Sequence, residues 1–284
     1  MSSILLSVLL LGPTGQAAAE TDADVGTVLV SVTDEKGAAV EGLAREDVAL
    51  LENGVARDIV TFRLDRRPLT VAFLLDTSEA VQTSYRLHLL EPVKEFLAGL
   101  PEGSQFALWT VGERPTKRLD YTDDLKALDQ ALKRAIPAGG STLLDAILEA
   151  TKDLRKKEGE RSAVIVVTAV GPEFSSAYRE RVVKEALSPN TTFLSVLLEE
   201  GTTDLENRRN YEYVLERLAR QSGGVFETTL SPMGLGRELK QLLAVLRGQY
   251  QLTYATVPDS KERKLEVKVA RPGARVRLAG TTAK

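Results

Sequence analysis

Period-two alternation of apolar and polar residues marks both ends of the chain. Near the start, Val28, Val30 and Val32 alternate with Leu29, Ser31 and Thr33, and Asp34-Glu35-Lys36-Gly37 reads as the turn that follows. Toward the end, Tyr250, Leu252 and Tyr254 alternate with Gln249, Gln251 and Thr253. Leu265, Val267 and Val269 then alternate with Lys264, Glu266 and Lys268, and a last strand carries Val276 and Leu278. This is the pattern of half-buried antiparallel strands. Asn53-Gly54 predicts a hairpin between Val48-Ala49-Leu50-Leu51 and a strand around Asp58 to Leu64, because this pair suits the left-handed backbone of a two-residue turn.

Between the ends the pattern becomes near-continuous apolar runs: Leu69 to Leu75, Phe106 to Val111, Ala163 to Thr168, Thr192 to Leu198 and a short Val225-Phe226. Such runs are strands of a parallel sheet covered on both faces. Amphipathic helices separate them. One carries Val81, Tyr85, Leu89, Val93, Phe96, Leu97 and Leu100, with Pro92 expected to kink or split it. Others carry Leu125, Leu128, Leu132 and Ile136; Leu144, Ile147, Leu148 and Leu154; and Tyr211, Val214, Leu215 and Leu218. The last starts at Ser231 and Pro232, buries Leu235, Leu239, Leu242 and Leu246, and ends at Gly248. The fold class is therefore α/β, a doubly wound, mostly parallel sheet with a small antiparallel β subdomain. Each end of the chain is too small to fold alone, so the two are expected to build that subdomain together.

The first nineteen residues read as a signal segment. Ile4 to Leu11 is an apolar run and Ala17-Ala18-Ala19 before Glu20 fits a cleavage site. The n-region lacks Lys and Arg, and the other reading of the run is the start of a buried helix. The run is too short to span a bilayer, and no later segment reads as transmembrane. The expected division is residues 1–19 as signal peptide, 20–66 as an N-terminal β segment, 67–247 as the α/β domain and 248–284 as C-terminal strands pairing with the N-terminal segment. Export places the chain in the periplasm or outside the cell.

Composition narrows the chemistry. The 284 residues carry 37 Lys and Arg against 40 Asp and Glu, a net charge of −3, which offers no broad electrostatic footprint for nucleic acid or anionic membrane. With no Cys and His88 as the one His, disulfides, thiolate chemistry and multi-histidine metal centres are excluded. A hydrolase built on Ser78 or Ser141 lacks a base, since His88 falls in the first helix. His88 itself reads as a surface or half-buried helical residue, Trp109 as core, Arg155 to Arg161 as a solvated turn, and Asn190-Thr191-Thr192 as a chance match to a glycosylation acceptor.

Ligands of open parallel sheets bind beyond the carboxyl ends of the strands. There the first strand ends in Asp76-Thr77-Ser78-Glu79-Ala80, with no glycine-rich phosphate loop, and Ala138-Gly139-Gly140-Ser141-Thr142 opens a later helix. From about Arg67 to Arg247 the chain resembles the von Willebrand factor type A family. That family places D-x-S-x-S after the first strand, a Thr before a later helix and an Asp after the fourth strand, together forming a metal-ion-dependent adhesion site. The chain beyond the signal segment also resembles the bacterial VWFA-related family, through Val40-Glu41-Gly42-Leu43-Ala44-Arg45-Glu46-Asp47-Val48, Leu51-Glu52-Asn53-Gly54, Gly248-Gln249-Tyr250-Gln251-Leu252-Thr253-Tyr254 and Val267-Lys268-Val269-Ala270-Arg271-Pro272-Gly273.

The resemblance maps the metal ligands onto Asp76, Ser78 and Thr142, but Ala80 stands at the second serine and Val170 at the later aspartate. Two of the five positions thus lack a side-chain oxygen, whereas Mg²⁺ or Mn²⁺ requires oxygen ligands in near-octahedral geometry. Glu79 or Glu173 could stand in for a missing ligand, but both are displaced from the motif positions and read as solvated loop residues. The expectation is an exported, non-enzymatic protein-interaction module with a degenerate site and no cofactor, whose partner is a protein. The alternative is a Mg²⁺- or Mn²⁺-dependent adhesion domain using Asp76, Ser78 and Thr142. In a metal-free site, Asp76 is expected to accept hydrogen bonds from Ser78, Thr142 or backbone amides.

Overall fold

The computed structural model describes residues 25–157, 161–199, 204–256 and 264–278. The expected signal segment lies outside the described residues. In chain order the elements are β1 (Val25–Thr33), β2 (Val48–Glu52), β3 (Val55–Arg57), β4 (Ile59–Leu64), β5 (Thr70–Asp76), α1 (Leu90–Ala98), β6 (Gln105–Val111), β7 (Thr116–Thr122), α2 (Leu125–Arg134) and α3 (Leu143–Leu154). There follow β8 (Ser162–Ala169), α4 (Arg179–Ala186), β9 (Thr191–Leu198), α5 (Leu205–Ser222), β10 (Val225–Thr229), α6 (Leu235–Arg247), β11 (Gln249–Ala255), β12 (Leu265–Val269) and β13 (Arg275–Leu278).

The apolar runs form a six-stranded sheet in the order β10-β9-β8-β5-β6-β7, parallel except for β7. Alternate residues of β5 feed two cores. Val71, Phe73 and Leu75 pack with α1, α2 and α6, while Ala72 and Leu74 pack with α3, α4 and α5. The sheet is thus sandwiched between helical layers, the doubly wound arrangement. Two elements go beyond the sequence reading. β7 is an edge strand with no fully buried residue, and α4 buries only Val182 and Ala186, so neither leaves a strong periodic signature.

The first helical stretch is split, as Pro92 suggested. A short turn at Glu79–Val81 and a wide turn at Tyr85–Leu89 precede α1, and Pro92 sits in the first turn of α1, where its missing N–H interrupts no helical bond. Ile136, expected on the buried stripe of α2, is instead 76% exposed, because α2 stops at Arg134.

Both chain ends contribute to two antiparallel sheets, β13-β1-β11-β4 and β12-β2-β3. Val28 stands opposite Leu252 and Val30 opposite Tyr250, so one face of the first sheet is apolar and packs on Leu50 and Val267 of the second. Each sheet covers the face the other cannot leave in water. The hairpin at Asn53-Gly54 forms with both residues in the left-handed region, φ 52° and 81°. It joins β2 to β3 rather than to the strand beginning near Asp58: after Arg57 the chain crosses to the other sheet, where β4 pairs with β11.

Arg161 corrects the reading of Arg155 to Arg161 as a solvated turn. It is 1% exposed, where the start of β8 meets the link before β5 and the junction of α6 with β11. Its guanidinium donates to the carbonyls of Asp65 (2.8 Å), Arg67 (3.0 Å) and Leu246, and to Oε1 of Gln249 (2.9 Å). Gln249 in turn donates to Thr192 Oγ1 at 2.9 Å. Burial pushes Arg161 down to about 10, partly offset by the Asp65 carboxylate. A sign-alternating sequence identifies a polar stretch but not which residue turns inward to satisfy the carbonyls at a junction.

Candidate functional site

β5 carries Asp76 to the carboxyl edge of the sheet, on the same side as Ala72 and Leu74. The side chain is fully buried. Oδ1 accepts from Ser78 N at 2.7 Å, and Oδ2 accepts from Ala169 N at 2.8 Å and Thr168 Oγ1 at 3.0 Å. Burial nevertheless pushes the Asp76 carboxyl above its ordinary range, the donors from Ala169, Ser78 and Thr168 opposing the shift.

The loop after β5 is tied to the α2–α3 loop, with Ala138 N donating to Thr77 O and Glu79 N to Gly139 O. This brings Asp76, Ser78 and Thr142 into one loop cluster. Thr142, however, donates its hydroxyl to Gly112 O at 2.9 Å rather than to Asp76. Donors to Asp76 come instead from the backbone of Ser78 and from the end of β8; Thr168 was not singled out in the sequence for this role. The hydroxyls of Ser78 and Ser141 are buried and find no hydrogen-bond partner among the described residues.

Val170 faces the core layer that Asp76 borders, whereas Ala169 faces the opposite one, so position 170 is the one aimed toward the site side. Ala80 is exposed, and its Cβ lies 3.1 Å from where a Cβ on Gly171 would be, which makes the loops after β5 and β8 neighbours at this point.

Glu173 is not a solvated loop residue. Its Oε2 accepts from Tyr211 Oη at 2.6 Å and from Leu143 N, the first residue of α3, at 3.2 Å; Oε1 accepts from Ser175 N at 2.9 Å. A carboxylate at this helix start is favoured by the exposed amides and by the helix dipole. Burial, reinforced by the Glu173 charge, pushes the Tyr211 hydroxyl far upward, so the proton stays on Tyr211 and bridges to Glu173. Asp145 extends the bracing by accepting from Ser176 N and Ala177 N at 2.8 and 3.0 Å. The backbones of Ser141, Pro172 and Phe174 exchange two further bonds of 2.7 Å. A Cβ at Gly140 would push aside the exposed Phe174 ring and sit 3.0 Å from the Pro172 carbonyl oxygen, so the closure is tight at this position.

For a divalent cation this donor set is a poor fit. One carboxylate of the family motif remains, and both of its oxygens are engaged by protein donors; Glu173 is engaged likewise; Ala80 and Val170 supply no oxygen. Among the described residues, the partnerless hydroxyls of Ser78 and Ser141 are the features of this cluster that suit a ligand.

Residues 71–171 match the von Willebrand factor type A domain. Among solved structures, proximal thread matrix protein 1 from the mussel byssus, with a zinc-occupied metal-ion-dependent adhesion motif, is 17% identical, with a TM-score of 0.54 over 69% of this chain and 49% of that one. A von Willebrand factor type A protein from Catenulispora acidiphila is 12% identical, with a TM-score of 0.52 over 92% of this chain and 73% of that one. At these identities the likeness is one of fold, and the chain spans about half the length of the mussel protein. No curated protein matches the chain. Residues 71–171 are thus similar to the von Willebrand factor type A domain, and the sheet order and the Asp76-x-Ser78 start at the end of β5 agree with that likeness of fold.

Proposed function

We propose that the chain is an exported, non-enzymatic interaction module that offers the loops at the carboxyl edge of its six-stranded sheet to a partner protein, without a metal ion. The observation that carries this reading is the set of exposed apolar side chains on those loops. Ile136 lies between α2 and α3, Phe174 and Tyr178 follow β8, and Leu230 and Met233 follow β10; their exposures are 76, 68, 79, 79 and 76%. Large apolar side chains exposed on several loops of one sheet edge suit a protein contact, since aromatic and Met side chains are enriched at protein interfaces. The bracing of the loop after β8 by Glu173, Asp145 and Tyr211 supports a surface held ready for contact rather than one that moves in a reaction. Export rests on the apolar run Ile4 to Leu11 with the Ala17 to Ala19 cleavage pattern, and a mature chain beginning at Glu20 on N-terminal sequencing is the expected outcome.

The Ser78 hydroxyl favours the second reading, a metal-dependent adhesion site through Asp76, Ser78 and Thr142. Thermal melting with millimolar Mg²⁺ or Mn²⁺ separates the two, because a ligand that binds only the native state raises Tm by mass action. The expected result is no shift for the natural chain, and a metal-dependent rise once Ala80→Ser and Val170→Asp restore the two missing oxygens. A rise in the natural chain that Asp76→Ala abolishes would overturn metal independence. The docking surface is tested by capture of envelope proteins on the immobilised chain. Phe174→Ser with Tyr178→Ser should release what the natural chain retains, and unchanged capture counts against this face.

A further inference from the structure

The outer face of α6 carries a second feature, independent of the loops above. A groove of about 820 Å³ runs between α6 and the chain that follows β1, lined by Lys36, Ala38, Ala39 and Glu41 on one side and by Arg237, Lys240, Gln241, Leu243, Ala244 and Arg247 of the helix on the other. Arg237, Lys240, Ala244 and Arg247 recur at three- and four-residue spacing, so they share one helix face. The three cations are exposed, whereas Ala244 and Leu243 are half-buried. Small apolar groups thus line the groove between cationic residues of the helix and of the turn.

Two of these cations are held in place. Arg237 donates through Nε to Glu238 at 2.9 Å, and Glu238 is itself 3% exposed; Arg247 donates through Nε to Gly99 O at 3.1 Å. Glu41 belongs to the lining itself, and two further carboxylates meet its cations. Glu238 holds Arg237, Glu95 lies 4.0 Å from Lys240, and Glu41 pairs with Arg66 at 3.2 Å. Against them stand the four cations of the lining, Lys36, Arg237, Lys240 and Arg247, so the groove keeps a positive excess of one on a chain whose net charge is −3. Nε and Nη2 of Arg237 go to Glu238 and those of Arg247 to Gly99 O, so at this rim both guanidiniums act as positive charges fixed in place.

We propose that this groove docks an acidic segment of a partner protein, in which small apolar side chains lie between carboxylates. Charge complementarity selects the acid and the alanines select the small side chains. A flat anionic bilayer meets the outer cations without reaching Ala244 at the base.

The test uses fluorescence anisotropy at low salt on a dye-labelled peptide of about a dozen residues repeating Glu-Ala, beside its Gln-Ala counterpart and vesicles of phosphatidylglycerol. The Glu-Ala peptide should bind at least about tenfold more tightly than Gln-Ala, and weaken steeply as NaCl rises from about 50 to 300 mM. Lys240→Glu with Arg247→Glu should remove that preference. Lys240→Ala with Arg247→Ala should weaken it by about tenfold, with melting curves used to confirm that each variant folds. Lys126→Glu with Arg134→Glu on α2 makes the same charge change elsewhere and should leave affinity within about twofold. Equal binding of the two peptides overturns the proposal. So does equal loss in the α2 variant, which would reduce the effect to overall charge, and so does groove-dependent binding to vesicles without binding to the peptide.

Discussion

Replacing Arg161 with methionine tests the junction between the two sets of sheets. The substitution keeps an unbranched stem but removes every donor from four buried acceptors: the carbonyls of Asp65, Arg67 and Leu246 and Oε1 of Gln249. Each buried acceptor left without a partner costs about 1–3 kcal/mol, so four of them set an unfavourable change of roughly 4–12 kcal/mol. Relief of a buried charge opposes it. The drop of Arg161 from 12.5 to about 10 corresponds to a penalty of roughly 3–4 kcal/mol at about 1.4 kcal/mol per pH unit. With partial relaxation of the orphaned carbonyls the net loss should be about 3–5 kcal/mol, in the range measured when one member of a buried charged network is removed. Urea unfolding followed by fluorescence of Trp109, the one Trp and a β6 residue, and by far-ultraviolet circular dichroism reads this directly. Arg161→Lys should fall between the natural chain and the methionine variant, because an ammonium cannot fork to carbonyls on both sides. A methionine variant within about 1 kcal/mol of the natural chain, or strict additivity with Gln249→Leu, would refute the claim that this network fastens the junction.

Two further outcomes follow from the same accounting of buried polar groups. Hydrogen bonds from Arg67, with the nearby Arg161 charge, hold the Asp65 carboxyl below its usual 3.8 in spite of burial, so the native state binds that proton less tightly than the unfolded chain. The stabilisation is complete above 3.8 and fades as pH falls through the lower folded value. Asp65→Asn should therefore flatten the acid limb of a stability-versus-pH curve, and parallel limbs in the two proteins would count against it. Tyr211→Phe removes the proton shared with Glu173 and should cost about 1–2 kcal/mol in urea unfolding. In a Glu173→Gln background the loss should shrink, and an undiminished loss would mean that the pair does not interact.

How much of this could be read from the chain depended on whether a residue's role repeats along it. Phe73, Ile165 and Leu194 lie in uninterrupted apolar runs, so strands buried on both faces were legible, as were the alternating strands at the ends. β7 was not, because Thr-Lys-Arg-Leu-Asp-Tyr-Thr pairs through its backbone at a sheet edge and asks little of its side chains. The hairpin turn was legible in Asn53-Gly54, but the exit of the chain to a different sheet after Arg57 was not, since a turn motif fixes the turn and not the strand's later partner. Arg161 shows the limit most clearly. Its place is set by carbonyls of Asp65, Arg67 and Leu246, which come together only in three dimensions.

The same distinction applies at the carboxyl edge. The residues that lack an oxygen, Ala80 and Val170, are visible in the sequence because the motif fixes their positions. What stands nearby is not, because Glu173 reaches the start of α3 only after Ser141 and Pro172 have drawn its loop across by a backbone bond of 2.7 Å. Tyr211, legible only as a core residue of α5, then closes that loop from the opposite side. Together these contacts hold residues 172–177 against α3 while Phe174 and Tyr178 stay in water, so the loop is ordered at a cost met within the fold. A partner docking there loses less entropy than one that must first arrange the loop. Weakening the brace at Glu173 should therefore lower affinity at a face that Glu173 itself need not touch, which makes partner binding a more sensitive readout of this substitution than stability alone.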